Sequence, residues 1–149
     1  MLFKIITKFF DAGEVKAHCD LFCGVYDPAQ ARIEAQSVYN AIKIYQSTDD
    51  EVGRQRAINI KEERAELVKH HLWVLWTDYF KPEHIEKFEG LHDLFWKATK
   101  AAGEAKKSVD PKDGQQLIDL IDEIGKMFAA TKEGYNYEEV KKNMELQSK

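Results

Sequence analysis

Cysteine is nearly absent from this chain of 149 residues: Cys19 and Cys23 are the only two, and both stand close to the start. A small scaffold held by disulfides would carry more of them, spread along the chain, so any work these thiols do is local. Proline is scarce at three residues and glycine at eight, so little interrupts regular structure. Positive charge is not in excess. Lys and Arg number 22 against 26 Asp and Glu, a formal net charge of −4, and no basic stripe stands out, so a nucleic-acid partner is not expected. Long hydrophobic runs are missing too. The most apolar stretch, Met1 to Phe10, is broken by Lys4 and Lys8. It falls short of a secretory core of about 7–15 apolar residues and of a membrane span of about 20, so no membrane partner is expected. It reads instead as an amphipathic turn at a frayed terminus or as a pro-segment. A chain of this length buries roughly 68–70% of its unfolded surface and needs no covalent staple, which favours one compact domain.

What is present is helix after helix. Asp27-Pro28-Ala29-Gln30 puts an N-cap, a proline at the first helical position and a glutamine at the third ahead of Val38, Ala41, Ile42 and Tyr45. A second, longer run opens near Asp49 or Asp50 and carries Ile60, Leu67, Val68, Leu72, Leu75, Trp76 and Tyr79 until Lys81-Pro82 stops it. The third, from about Glu83 to Gly103, shows Phe88, Leu91, Phe95, Ala98 and Ala102, with Gly103 as a candidate C-terminal cap. Asp110-Pro111 repeats the opening device before Leu117, Ile121, Ile124 and Phe128. No run alternates with the period of two that a half-buried strand needs. Short connections between long helices make antiparallel neighbours, so the expected fold is all-α, an antiparallel up-down-up-down four-helix bundle. The polar tail, residues 135–149, has Tyr137, Val140 and Met144 at loose helical spacing, and either docks as a partial turn or stays mobile.

Bundles often hold metals, so the histidines come next. His70 and His71 are adjacent and point about 100° apart on a helix, which prevents them from facing one ion together. A di-iron carboxylate site needs two Glu-x-x-His pairs, and only Glu89 with His92 supplies one. His84 reads as a cap or a solvent-facing group. The stretch His18-Cys19-Asp20-Leu21-Phe22-Cys23 differs, because it gathers an imidazole and two thiols immediately before a capped helix. Such soft donors select zinc, copper, iron–sulfur or nickel. The spacing excludes a Cys-x-x-Cys redox pair, and on its own a Cys-x3-Cys is equally a small disulfide or two idle thiols.

Two blocks carry a resemblance. His18-Cys19-Asp20-Leu21, then Cys23-Gly24-Val25-Tyr26-Asp27-Pro28-Ala29-Gln30-Ala31-Arg32-Ile33-Glu34-Ala35, closely resembles the N-terminal nickel hook of the nickel-containing superoxide dismutases. The run Glu63-Arg64-Ala65-Glu66-Leu67-Val68-Lys69-His70-His71, continuing to Lys81-Pro82, is similar to that family's second helix. The similarity extends from His18 to about Gly103 and thins beyond it. It implies a four-helix bundle assembled as a homohexamer, with one nickel ion per subunit and superoxide as substrate. It implies a cytoplasmic precursor cut between Ala17 and His18 by a processing protease, with a nickel chaperone as a further candidate partner. Residues 1–17 would be the pro-segment and residues 18–149 the hook and bundle.

By the same resemblance, the metal ligands are His18, through its new terminal amine and imidazole, Cys19, through amide nitrogen and thiolate, and Cys23 through its thiolate. Anionic thiolate and amidate donors stabilise Ni(III), so that nickel can cycle between two states while superoxide goes to O2 and H2O2. Tyr26 matches a tyrosine that gates the open face, and Asp20 a residue of the supporting network. Glu34 and Arg64 match a pair that orients the axial imidazole, and Tyr79 and Lys81 match positions near the site, where Lys81 could draw in an anion. One departure stands out. The family has proline after a cis bond where this chain has Phe22; a non-proline cis bond costs roughly 2.5–4 kcal/mol, so a looser or slower-forming hook is expected. The alternatives are a bundle homologue poorly metallated because of Phe22, and a ferritin-like di-iron oxidase.

Overall fold

The computed structural model describes residues 24–147, and every regular element among them is helical. Asp27 and Pro28 open the first helix as their order predicts: the Asp27 carboxylate accepts the Ala29 N–H at 2.8 Å, and Pro28 already has helical angles with its carbonyl bonded to Arg32 N–H. Helix α1 (Ala29–Ser47) comes next, and three residues later Asp50 caps α2 (Glu51–Val74) through the Gly53 N–H at 2.7 Å. A turn of π-helix (Leu75–Tyr79) extends α2, then a short α3 (Pro82–Lys87) precedes α4 (Leu91–Lys107). Asp110 caps α5 (Pro111–Ala129) through Lys112 N–H at 2.9 Å, and α6 (Tyr137–Gln147) closes the described chain.

Helix α1 packs on α2 and α5, and α4 packs on the same two, which makes α1 and α4 diagonal partners of a four-helix bundle. The direction is fixed at both ends. Gln46, at the end of α1, donates to the Val109 carbonyl in the α4–α5 connection, while Tyr26 and Asp27 at its start meet Tyr79 at the end of the π turn and Tyr135 in the turn that follows α5. The result is the antiparallel up-down-up-down arrangement. Its core alternates small and large side chains. Ala31, Ala35 and Val38 of α1 and Ala98, Ala102 and Ala105 of α4 admit Leu117, Ile121, Ile124 and Phe128 of α5, all fully buried. Burying each of those four large side chains contributes roughly 1.5–3 kcal/mol before the entropy of ordering is subtracted.

Four sequence expectations need correction. The buried stripe of α2 is Ala57, Lys61, Ala65, Val68 and Leu72, so Ile60 is 46% exposed and the long stem of Lys61 occupies the seam instead. Lysine tolerates this because its ammonium reaches the Ser108 carbonyl at the end of α4. The third helix is two: Gly90, at φ +82°, turns the chain between α3 and α4, and a side chain there would be strained. Gly103 is no cap, since α4 continues past it to Lys107. The polar tail docks as a full helix, with Tyr137 only 2% exposed.

Candidate functional site

Four sequence-distant elements converge where the N-terminal segment enters the bundle. His18, Cys19, Asp20, Phe22 and Cys23 lie outside the described residues, and the described part of the site begins at Gly24. Gly24 has φ +59°, a left-handed turn that favours glycine, and it leads through an exposed Val25 to a half-buried Tyr26. A cavity of about 140 Å³ opens beside this entry, lined by Tyr26, Asp27, Gln30 and the consecutive His70 and His71 among others.

The π turn decides which aromatic reaches the site. Phe80 N–H bonds to the Leu75 carbonyl five residues back at 3.0 Å, so Phe80 takes the buried place after Leu75 and Tyr79 moves to the edge. Two local features favour the turn. Thr77 bonds back to the Trp73 carbonyl at 2.8 Å, and Pro82 drives Lys81 into an extended conformation. Displaced in this way, the Tyr79 ring lies 5.7 Å from that of Tyr26 and 4.4 Å from that of Phe128. Its hydroxyl is 2.6 Å from Thr131 Oγ1, whose single proton is already given to the Phe128 carbonyl, so Tyr79 is the donor. Tyr26 and Tyr79 are therefore brought together at this end of the bundle.

Glu34 and Arg64 also meet. The Arg64 guanidinium reaches the Glu34 carboxylate at 3.2 and 3.5 Å across the α1–α2 seam and takes Glu63 as a second partner at 3.4 Å. Lys81 is placed otherwise. It is exposed at the start of α3, where its backbone N–H donates to His84 Nδ1 at 3.1 Å, so His84 has the capping role expected of it. The remaining bundle histidine, His92, stands edge-on to Trp76 at 5.4 Å. Among the described residues no group of three or more His, Cys, Asp or Glu is arranged to hold a metal ion.

Several residues of this end carry no signal in the sequence pattern. Tyr135 donates to Asp27 Oδ1 at 2.6 Å, and its ring stands edge-on to Phe128 at 5.0 Å. Burial and then the Asp27 carboxylate push the Tyr135 hydroxyl well above its ordinary pKa, so it stays protonated and donates. Lys132 places its ammonium over the Phe128 and Tyr135 rings and 3.5 Å from the Tyr26 carbonyl. One flank away, buried Arg32 pairs with Asp122 at 2.9 Å, and Asp122 also accepts from Tyr137 at 2.9 Å and pairs with Lys141 at 3.1 Å. Only Asp122, in the middle of an apolar face, and Gly125, inside a helix, hinted at this cluster.

A helical bundle whose capped first helix is preceded by an imidazole and two thiols, and whose entry is ringed by paired tyrosines, has the outline of a metal-dependent oxidoreductase. The family model for "Nickel-containing superoxide dismutase" matches residues 13–132, and the chain belongs to that family. The match runs through α5, further than the Gly103 limit of the motif resemblance. "Superoxide dismutase [Ni]" of Streptomyces seoulensis is 57% identical over 120 residues, 80% of this chain and 91% of that protein. Its counterpart in Streptomyces coelicolor is 55% identical over 118 residues, 79% and 90% of the two chains. Among solved structures, native nickel superoxide dismutase superposes with a TM-score of 0.74 at 54% identity, covering 76% of this chain and 98% of that one. An apo form gives a TM-score of 0.71 at 52% identity, covering 72% and 96%.

Proposed function

We propose that the chain is a working nickel superoxide dismutase, with residues 1–17 a pro-segment and residues 18–149 the enzyme. Family membership over most of the chain is the observation that carries this reading. It makes the protein an oxidoreductase with a nickel cofactor and superoxide as substrate, and it favours an active enzyme over a poorly metallated homologue.

The donor set suits the metal. His18, Cys19 and Cys23 supply the chain's only thiols beside an imidazole, and thiolate with imidazole is a soft set that nickel accepts. His18, Cys19 and Cys23 would hold one nickel ion per subunit, which would supply a one-electron couple suited to superoxide dismutation. Removing residues 1–17 frees the His18 amine as a ligand. Tyr26, held against Tyr79, narrows the approach to small anions, and the Glu34–Arg64 pair would take the role the resemblance gives it, orienting the His18 imidazole. Asp20 would take the supporting role that the resemblance gives it. Lys132, close to the Tyr26 carbonyl, joins Lys81 in offsetting the chain's net negative charge for an incoming anion.

The homohexamer is proposed on family grounds and is supported by exposed Trp73 and Trp96. These flank a depression of about 170 Å³ floored by Trp76 and Phe95, apolar surface that a second subunit would cover. None of the described helices is long and apolar enough to cross a membrane. A cytoplasmic location, with a processing protease and a nickel chaperone as partners, completes the proposal. The test is to remove residues 1–17, add Ni(II) and assay superoxide loss. Activity should appear with nickel and vanish in Cys19→Ser. Activity that survives this change, or that needs iron instead, would overturn the reading.

A further inference from the structure

The family match ends at residue 132, and the turn and helix beyond it are tied back to the entry of the metal-binding segment. Gly134, at φ +75°, turns the chain so that Tyr135 returns to Asp27 and Tyr137 starts α6. The docking is built into α5. Gly125 lies under the Tyr137 ring, where any Cβ would collide with ring carbons, and Asp122 receives both the Tyr137 hydroxyl and the Lys141 ammonium. Helix α6 thereby anchors the turn that carries Tyr135. Asp27 Oδ1 takes two hydrogen bonds, one from the Tyr135 hydroxyl and one from the α1 N-terminus, and Lys132 reaches the Tyr26 carbonyl from the same turn.

We propose that Tyr135 is a positioning residue for the nickel site: through Asp27 it clamps the exit of the N-terminal segment onto the bundle. The inference rests on His18, Cys19 and Cys23 as the metal ligands. Asp27 stands four residues beyond Cys23, at most about 14 Å of extended chain, so fixing it restricts where the hook can lie. An extra tether of this kind at Asp27 slows release of a metal held by those three ligands, without touching the metal itself.

Tyr135→Phe removes the hydroxyl and keeps the ring on Phe128. In the processed, metal-free protein, exchange of the Ala29 amide, which Asp27 holds, should quicken about tenfold, as expected for losing a hydrogen bond to a charged group, while the global unfolding midpoint stays close to wild type. In the nickel-loaded protein, release of nickel to a chelator should quicken several-fold. In an Asp27→Ala background, Tyr135→Phe should add nothing to either rate. Unchanged exchange, faster exchange with unchanged nickel release, or an effect of equal size in the Asp27→Ala background would each overturn the clamp. The exchange comparison needs no metal, and nickel binding by Cys19→Ser checks the ligand assignment separately.

Discussion

Gly125→Ala offers a sharp test of how α6 is held, because local and tertiary effects have opposite signs. In an isolated helix, alanine in place of an interior glycine stabilises by about 1 kcal/mol. Here the new methyl would fall on Cζ and both Cε atoms of Tyr137, atoms of a rigid ring rather than the end of a flexible chain. The ring must leave. A buried tyrosine hides roughly 150–250 Å², worth about 4–6 kcal/mol at 25 cal/mol per Å², and the compactness of real unfolded chains trims this by roughly 10–40%. The hydrogen bond to Asp122 goes with it. Entropy regained by the freed helix and the alanine's own propensity offset part of the loss, which leaves a destabilisation of about 2–3 kcal/mol. Urea unfolding reads the magnitude, and faster tryptic cleavage after Lys132 shows that the tail is what has loosened. In a Tyr137→Ala background the same Gly125→Ala change should turn stabilising by about 1 kcal/mol. Wild-type stability or better in the single variant, or the same shift in both backgrounds, would refute the reasoning.

The other predictions concern the site and its titration. Glu34→Gln should cost less than about 1 kcal/mol in urea unfolding, because the pair with Arg64 is partly open to solvent, yet lower the superoxide dismutation rate about 10–100-fold if it orients the His18 imidazole. Rate and stability falling in proportion would count against that role. Alkaline pH should unfold the protein through Tyr137, whose pKa is raised by burial and by Asp122. The folded state keeps this proton after the unfolded state loses it near pH ~10, so the stabilisation is complete below that pH and is lost above it. The slope approaches about 1.4 kcal/mol per pH unit. Tyr135, raised in the same way, acts in the same sense and Lys61, whose pKa burial lowers, in the opposite one, and comparing wild type with Tyr137→Phe cancels both. Equal alkaline slopes in the two proteins would show that Tyr137 is not responsible.

Legibility in this sequence tracks the range of the interactions involved. The helix starts at Asp27-Pro28, Asp50 and Asp110-Pro111 were readable because a cap and its N–H partner lie within three residues. The core of α5 was readable because Leu117, Ile121, Ile124 and Phe128 repeat at helical spacing. The Glu34–Arg64 pair spans a longer separation, and only the family motif linked the two in advance, while the contact of Tyr26 with Tyr79 was not legible at all. Where a local rule was broken by a tertiary partner, the pattern misled. Lys61 replaced Ile60 in the seam because the Ser108 carbonyl receives its ammonium. Tyr79 left the stripe because one extra residue in the π turn moved Phe80 into its place. The tail was unreadable for the strongest reason: its apolar spacing is loose, and its order comes from a notch at Gly125, a carboxylate at Asp122 and a bond from Tyr135 to Asp27 across 108 positions. No window of sequence contains both ends of that bond, and it ties the residues beyond the family match to the entry of the metal-binding segment.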